Sequence, residues 1–367
     1  MLSRTVNFGK LMREVNFAHK EKIMRFPEFL KDNDTIGLVA PSYGCATAPR
    51  YRLPFEKALL RFESLGYKTN LGPNCYATEG IGKSNTPEKC AAEINDYFIN
   101  RECGMIFSVG GGETMCEDMS FVDFEGIKNA APKWYAGYSD NANLTFLLPV
   151  LTDTAALYCS NAPSFGSEKL HKSHTDALDF LAGKKLKFTN YDGWEKESLK
   201  SDENPHANLN ITEPYSQINV LPAGCDSFSG RMLGGCLDVL VTLCGTKFDR
   251  VKEFNERYKD DGTVWFLEAC DLNPMGVMRA LWQLDNAGWF ETAKGFIIGR
   301  SLLHDFEFDG ICPRDAYKMF LEKKNLPGVI DVDLGHLAPM MPFVSGAVAT
   351  IEVGDNSLSI DYGPSLH

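Results

Sequence analysis

Ser139 stands in Gly137-Tyr138-Ser139-Asp140, after the apolar run Trp134 to Ala136 and before a helix expected over 143–148. A serine on a sharp strand-to-helix turn is held out at the sheet edge, where the N–H of the next residue, Asp140, can stabilise an oxyanion. The arrangement outlines a nucleophile elbow. Asn141 occupies the place of the second glycine in G-x-S-x-G, so a serine that caps a helix is the competing reading. A nucleophilic serine needs a base, and of the seven histidines His336 stands apart, in DLGHLAPMMPF between an apolar stretch and a proline-punctuated loop. A third group must orient the imidazole, and Glu268, the carboxylate that ends the apolar run VWFLE, suits that task. The three follow one another in the order nucleophile, acid, histidine.

A second chemical feature is Gly110-Gly111-Gly112, which ends GMIFSVGGG. A dinucleotide fingerprint would place a further glycine at Met115, so NAD binding is disfavoured. Glycines at a strand end let the backbone turn and aim N–H groups at an oxyanion, and a plain tight turn is the alternative. No zinc motif accompanies His336, so a zinc hydrolase is disfavoured and no metal or other cofactor is expected.

These side chains need a scaffold, and the 367-residue length suits two domains or one large α/β unit. Alternation of strand and helix signals predicts it. TIGLVAP reads as a buried strand, Phe55 to Leu65 as a helix ended by Gly66, and YKTNLG as a strand. Thr86-Pro87-Glu88 reads as a capped helix start, and GMIFSV and KWYAG as further strands. This pattern predicts a doubly wound, mainly parallel sheet, with ligands beyond the carboxyl ends of its strands, where Ser139 and the glycines lie. Residues 1–25 read as an arm, 26–182 as the N-terminal α/β domain, and the polar stretch 183–226 as a linker or crossing segment. Residues 227–367 form a second unit, with strands at TVWFLEA, GFIIG, ATIEV and LSIDY and a helix around MGVMRALWQLDNAG.

Composition narrows the partners. The hydrophobic fraction of 44% and charged fraction of 23% are those of an ordinary folded chain. The formal charge of −12, with no basic run to reverse it locally, argues against a nucleic-acid polymer as partner. No apolar run is long enough to span a membrane. The eleven cysteines are scattered without a C-x-x-C pair, which favours reduced thiols and a cytoplasmic location.

Ordered along the chain, DTIGLVAPS (34–42), IFSVGGG, AGYSD (136–140), APSFG (162–166), GRMLGG (230–235), VWFLEA (264–269), the stretch 278–300 and GHLAPMMPF (335–343) resemble the LD-carboxypeptidase family of serine peptidases, which includes microcin C self-immunity proteins. The resemblance spans about 34–363 and implies Ser139 as nucleophile, Glu268 as orienting acid and His336 as base. It implies an oxyanion hole from the N–H groups of Asp140 and Gly112, with Gly111 as the lesser turn donor. It further implies a mainly β C-terminal domain, a site between the domains, and a homodimer. Two positions depart from the family pattern, Ala269 after the glutamate and Cys236 after the paired glycines. The long 185–225 segment with Trp194 resembles the immunity branch, where a tryptophan stacks on a nucleotide base, although a packing anchor is the plainer role for a loop tryptophan. Arg231 is a candidate for gripping a substrate carboxylate, against an interdomain ion pair. The expected substrate is a small muropeptide or a peptidyl or aminoacyl-nucleotide conjugate, and the rival outside the enzyme class is a non-catalytic α/β protein that binds a small ligand.

Overall fold

The computed structural model describes residues 24–46 and 48–366. Most of the expected arm, like His19 and His367, lies outside the described residues. Its last two residues are packed in place: Met24 is buried, and Arg25 donates to the Ala130 carbonyl at 2.8 Å and to Thr154 Oγ1 at 2.5 Å.

The first sheet is built from β1 (Thr35–Val39), β2 (Lys68–Leu71), β3 (Met105–Ser108), β4 (Trp134–Gly137) and β5 (Ala156–Tyr158), all parallel in the order β5-β4-β3-β1-β2. Apolar runs with no polar alternation form β1, β3 and β4 because helices cover both faces. The helix Pro49–Ser64 buries Phe55, Ala58 and Phe62, and Gly66 just beyond it takes the left-handed φ of 92° that stops it. Thr86 does precede the helix Pro87–Asn95, but its side chain makes no capping bond.

The 183–226 stretch contributes β6 (Lys187–Thr189), a two-residue pair β7 (Gly193–Trp194) with β8 (Glu213–Pro214), and β9 (Ile218–Val220). It is therefore more than a linker. Then come β10 (Ser227–Cys236), β11 (Thr263–Glu268), β12 (Ala293–Gly299), β13 (Gly328–Val332), β14 (Phe343–Ser345), β15 (Val348–Gly354) and β16 (Ser357–Asp361). The second sheet runs β6-β16-β15-β10-β11-β12-β13-β9, with a parallel centre from β10 to β13 and antiparallel strands on both sides. Both of its edges come from the crossing segment. Strands this short carry no periodicity, and their pairing partners lie more than a hundred residues away, so sequence pattern alone does not reveal them.

The units also exchange chain in the other direction, since β14 leaves the second unit and pairs antiparallel with β5 at the edge of the first sheet. Between the sheets lies the helix Ala142–Thr152, buried along nearly its whole length because Phe146 stacks on Trp289 at 5.0 Å and meets Trp265 at 6.3 Å. A helix buried all round, with Asn143, Thr145 and Thr152 bonded back to the backbone, has no solvent face to keep. Among the described residues no helix is long and apolar enough to cross a membrane, and all eleven cysteines are free thiols.

Candidate active site

The site begins with backbone geometry. β4 ends at Gly137, a short turn covers Ser139–Asn141, and the buried helix follows at once. Ser139 is forced to φ 64°, a left-handed conformation that a serine avoids unless its surroundings over-determine it. The restraints are visible. Asn161 Oδ1 accepts from Tyr138 N at 3.1 Å, and Asn141 Nδ2 donates to the Gly110 carbonyl at 2.8 Å. Tyr135 Oη in turn donates to Asn141 Oδ1 at 2.5 Å. Asn141, in the place of the second elbow glycine, thus ties the elbow to the glycine turn.

Asp140 is the second fastening between these loops. Its buried carboxylate accepts from Ser42 Oγ at 2.6 Å, from Met115 N at 3.0 Å and from Asn143 Nδ2 at 3.1 Å. The glycine turn lies directly against the serine, since a Cβ placed on Gly111 would come within 3.1 Å of Ser139 Cβ and 3.2 Å of its Oγ. A Cβ on Gly112 would instead strike Ser42 Oγ at 2.1 Å and the Gly82 carbonyl at 2.8 Å.

The other half of the site comes from the second sheet. Glu268 is the last residue of β11 and fully buried; His336 sits in the loop after β13. His336 Nε2 lies 2.9 Å from Ser139 Oγ, and its Nδ1 lies 2.8 Å from Glu268 Oε2. Gly335 permits this approach: it has φ 100°, and a Cβ there would stand 2.7 Å from Glu268 Oε2. Burial by itself disfavours the imidazolium, but the Glu268 charge, the hydrogen bonds to Glu268 and Cys270 and the nearby Tyr138 together outweigh it and lift the His336 pKa well above its ordinary value. For Glu268, burial works to raise the pKa, and the facing imidazole brings it below the usual carboxylate range. Ser139, Glu268 and His336 therefore form one hydrogen-bonded line, drawn from a strand end and two loops at the carboxyl ends of strands in two sheets.

Residues 36–159 match the LD-carboxypeptidase N-terminal domain, and residues 229–351 match the LD-carboxypeptidase C-terminal domain. The chain belongs to the LD-carboxypeptidase family. Among its relatives is the "Putative carboxypeptidase YocD" of Bacillus subtilis, 23% identical over 341 residues, which cover 90% of this chain and 98% of that protein. The fold is similar to an MccF-like protein from Bacillus anthracis, with a TM-score of 0.74 at 22% identity over 92% of this chain and 99% of that one. It is also similar to the microcin C7 self immunity protein MccF in complex with aspartyl sulfamoyl adenosine, with a TM-score of 0.75 at 21% identity over 91% and 98% of the two chains.

The two positions that the sequence resemblance sets apart both adjoin Glu268. Ala269 is fully buried, and Cys236, paired with Glu268 across β10 and β11, is buried with its thiol 3.4 Å from Asp238 Oδ2. Arg231 is not brought to the site. It pairs with Thr263 in the register where Cys236 pairs with Glu268, so five residues of strand, about 16 Å, separate it from the triad acid. Its guanidinium is engaged by Asp261 Oδ2 at 2.5 Å, the Gly346 carbonyl at 2.5 Å and the Tyr258 ring at 4.1 Å. That is an ion pair inside one domain, neither a carboxylate grip nor an interdomain link. Trp194, half-buried, packs against the Arg300 guanidinium at 5.3 Å and lies perpendicular to His304 at 5.4 Å. Beside it, Glu195 N donates to the Ala338 carbonyl at 2.7 Å, so the segment braces the His336 loop.

Sequence reasoning did not find Tyr158. Its hydroxyl, fully buried at the end of β5, donates to Glu268 Oε1 at 2.6 Å and accepts from Ser139 N at 3.1 Å. Nothing in ALYCS signals that, because the partners are 19 and 110 residues away.

Proposed function

We propose that this protein is a serine-type carboxypeptidase or amidase that hydrolyses an amide bond near a free carboxylate through Ser139, His336 and Glu268. The observation that carries the reading is the continuous line from Ser139 Oγ through His336 to Glu268, with spacings of 2.9 and 2.8 Å. Ser139 Oγ attacks the carbonyl carbon and His336 Nε2 takes its proton. Glu268 holds Nδ1–H and balances the imidazolium charge. His336 then protonates the departing amine, and a water molecule repeats the sequence on the acyl-enzyme.

The oxyanion falls to Asp140 N–H and Gly112 N–H. The first is among the amides a helical turn leaves without an internal partner. The carbonyl of Gly111 is fastened to Tyr43 N at 2.8 Å, and in a trans peptide this sends Gly112 N–H the opposite way. Gly111 itself forms the floor beside the nucleophile, and its own N–H is the second candidate donor on the turn.

For the substrate, an aminoacyl-nucleotide conjugate of the immunity type is our first choice. The crossing segment that braces the His336 loop borders the site, and solved relatives with aspartyl sulfamoyl adenosine or AMP share the fold. A muropeptide with a terminal D-alanine is the second, favoured by the LD-carboxypeptidase domain matches. A cytoplasmic location, supported by the free thiols, and a homodimer complete the proposal. Incubation with each substrate and mass spectrometry of the products tests it. Ser139→Ala should lose most turnover, by a factor that reaches about 10⁶ in serine hydrolases. Wild-type turnover in that variant would overturn the assignment.

A further inference from the structure

The hydrogen bonds around the triad do not end at the carboxylate. From Ser139 Oγ they run to His336 Nε2, from His336 Nδ1 to Glu268 Oε2, from Glu268 Oε1 to Tyr158 Oη, and from there back to the amide N–H of Ser139 itself. The circuit closes on the residue where it began. We propose that Tyr158 is a positioning residue that fixes the orienting carboxylate and the strained nucleophile backbone at a single hydroxyl, and so couples the protonation of His336 to the geometry of the elbow. This deepens the serine-hydrolase reading and rests on it.

Three observations support the role. The first is that Tyr158 can serve both partners at once: a phenol has one proton to donate, given to Glu268, and lone pairs left to accept from Ser139 N. Burial pushes its pKa well above the ordinary value, so the phenol stays a neutral donor. Secondly, its ring is held independently of the hydroxyl, by Phe266 at 5.7 Å and Tyr138 at 6.4 Å, so the oxygen does not hunt for its place. Finally, Tyr158 ends a strand of the first sheet and Ser139 lies in the turn after its neighbour β4, while Glu268 ends a strand of the second sheet and His336 lies in the loop that leaves it after β13. The hydroxyl is thus a second bond across the same interface that the Ser139 to His336 contact crosses.

The electrostatic consequence has a definite sign. A hydrogen bond to the carboxylate draws off negative charge, most of all when His336 is neutral and the charge is uncompensated. The bond therefore favours neutral His336, and removing it makes the pair hold its proton more tightly. The other groups facing the pair are Glu113, Tyr138 and Cys270 around His336, and Cys236 and Tyr317 around Glu268. Tyr158→Phe alters none of them.

Tyr158→Phe in the full-length protein tests the inference, with two readouts. The first is the rate of covalent labelling by a fluorophosphonate across pH, beside Ser139→Ala. The second is the imidazole titration of His336 by NMR, identified by its loss in His336→Gln. The expected result is labelling about 10- to 100-fold slower, as for loss of an outer partner of a site, with the midpoints of both labelling and titration moved to higher pH. A residue that merely packs would leave both midpoints in place. Unchanged midpoints and an unchanged labelling rate would overturn the role of Tyr158 while leaving the serine reading intact. Equal labelling of wild type and Ser139→Ala, or of neither, would instead count against the serine reading. In that case the NMR midpoint alone decides for Tyr158, upward in support and unmoved against.

Discussion

His336 is held between a fully buried carboxylate and a hydroxyl, and the consequence for its chemistry is a question of sign. It acts as a base only when neutral, so turnover should rise with pH as the imidazole loses its proton. Because Glu268 lifts that pKa well above the ordinary value of about 6.5, the acid limb of kcat/KM is expected above that value. Glu268→Gln removes the charge and should carry the imidazole midpoint downwards, read by NMR. The same change should lower kcat by about 10⁴-fold, as loss of the orienting carboxylate does in other triads. A midpoint that stayed in place would mean that Glu268 does not set the charge state of the base. The sequence offered Glu268 and His336 at this scale because each ends an apolar run at a turn. It offered Arg231 because a guanidinium can grip a carboxylate through two bonds, and there the neighbours decide otherwise: Asp261 and Tyr258 occupy the guanidinium.

Among the elements, the glycine turn after β3 and the elbow after β4 act as one unit, joined by Asn141 and by the Asp140 carboxylate. This distinguishes the two glycines. Gly111→Ala would push a methyl group against Ser139 Oγ, with a backbone that alanine can adopt, so labelling should fall at least 10-fold while the thermal midpoint stays within a few degrees. Gly112→Ala collides with Ser42 Oγ and the Gly82 carbonyl and must shift the turn. There both the oxyanion donor and the packing suffer, with a loss in kcat of roughly 10²- to 10³-fold and a clear fall in thermal stability. Paired activity and melting measurements on the two variants check this; equal behaviour would show that the turn is not ordered as described. The strands and helices that carry these turns are legible in the sequence, since their apolar runs and glycine punctuation are local. Crossing strands β6 and β9 are not, because three residues acquire strand geometry only from the sheet edge they meet.

For the molecule as a whole, the line from Ser139 through His336 to Glu268 exists only while the two sheets stay in register with each other. Beyond Tyr158, the described structure shows a firm link at the far end of the buried helix. Asp153 Oδ1 accepts from Arg257 Nη1 at 2.6 Å and from Tyr258 Oη at 3.0 Å. This is the interdomain ion pair that the sequence suggested for Arg231. Asp153→Ala leaves the part-buried Arg257 without its carboxylate partner and should cost about 3 kcal/mol, measured by urea unfolding. With β14 of the second unit paired into the first sheet and Phe146 packed on Trp265 and Trp289, fluorescence and circular dichroism should report one common transition. Separate transitions would mean that the two units unfold independently.

By itself the sequence determined the parallel α/β first unit, the chain order in which Ser139, Glu268 and His336 stand at the ends of their elements, and the family. Those properties are written in local apolar periodicity, turn residues and motif order, which need no knowledge of distant partners. Only the tertiary structure decided that the crossing segment supplies both edges of the second sheet, that Arg231 is spent on Asp261, and that a tyrosine on β5 closes the hydrogen-bond circuit around the triad. Each of these depends on which side chains meet across more than a dozen residues of chain, and a hydroxyl or guanidinium acquires its role from the atom it meets.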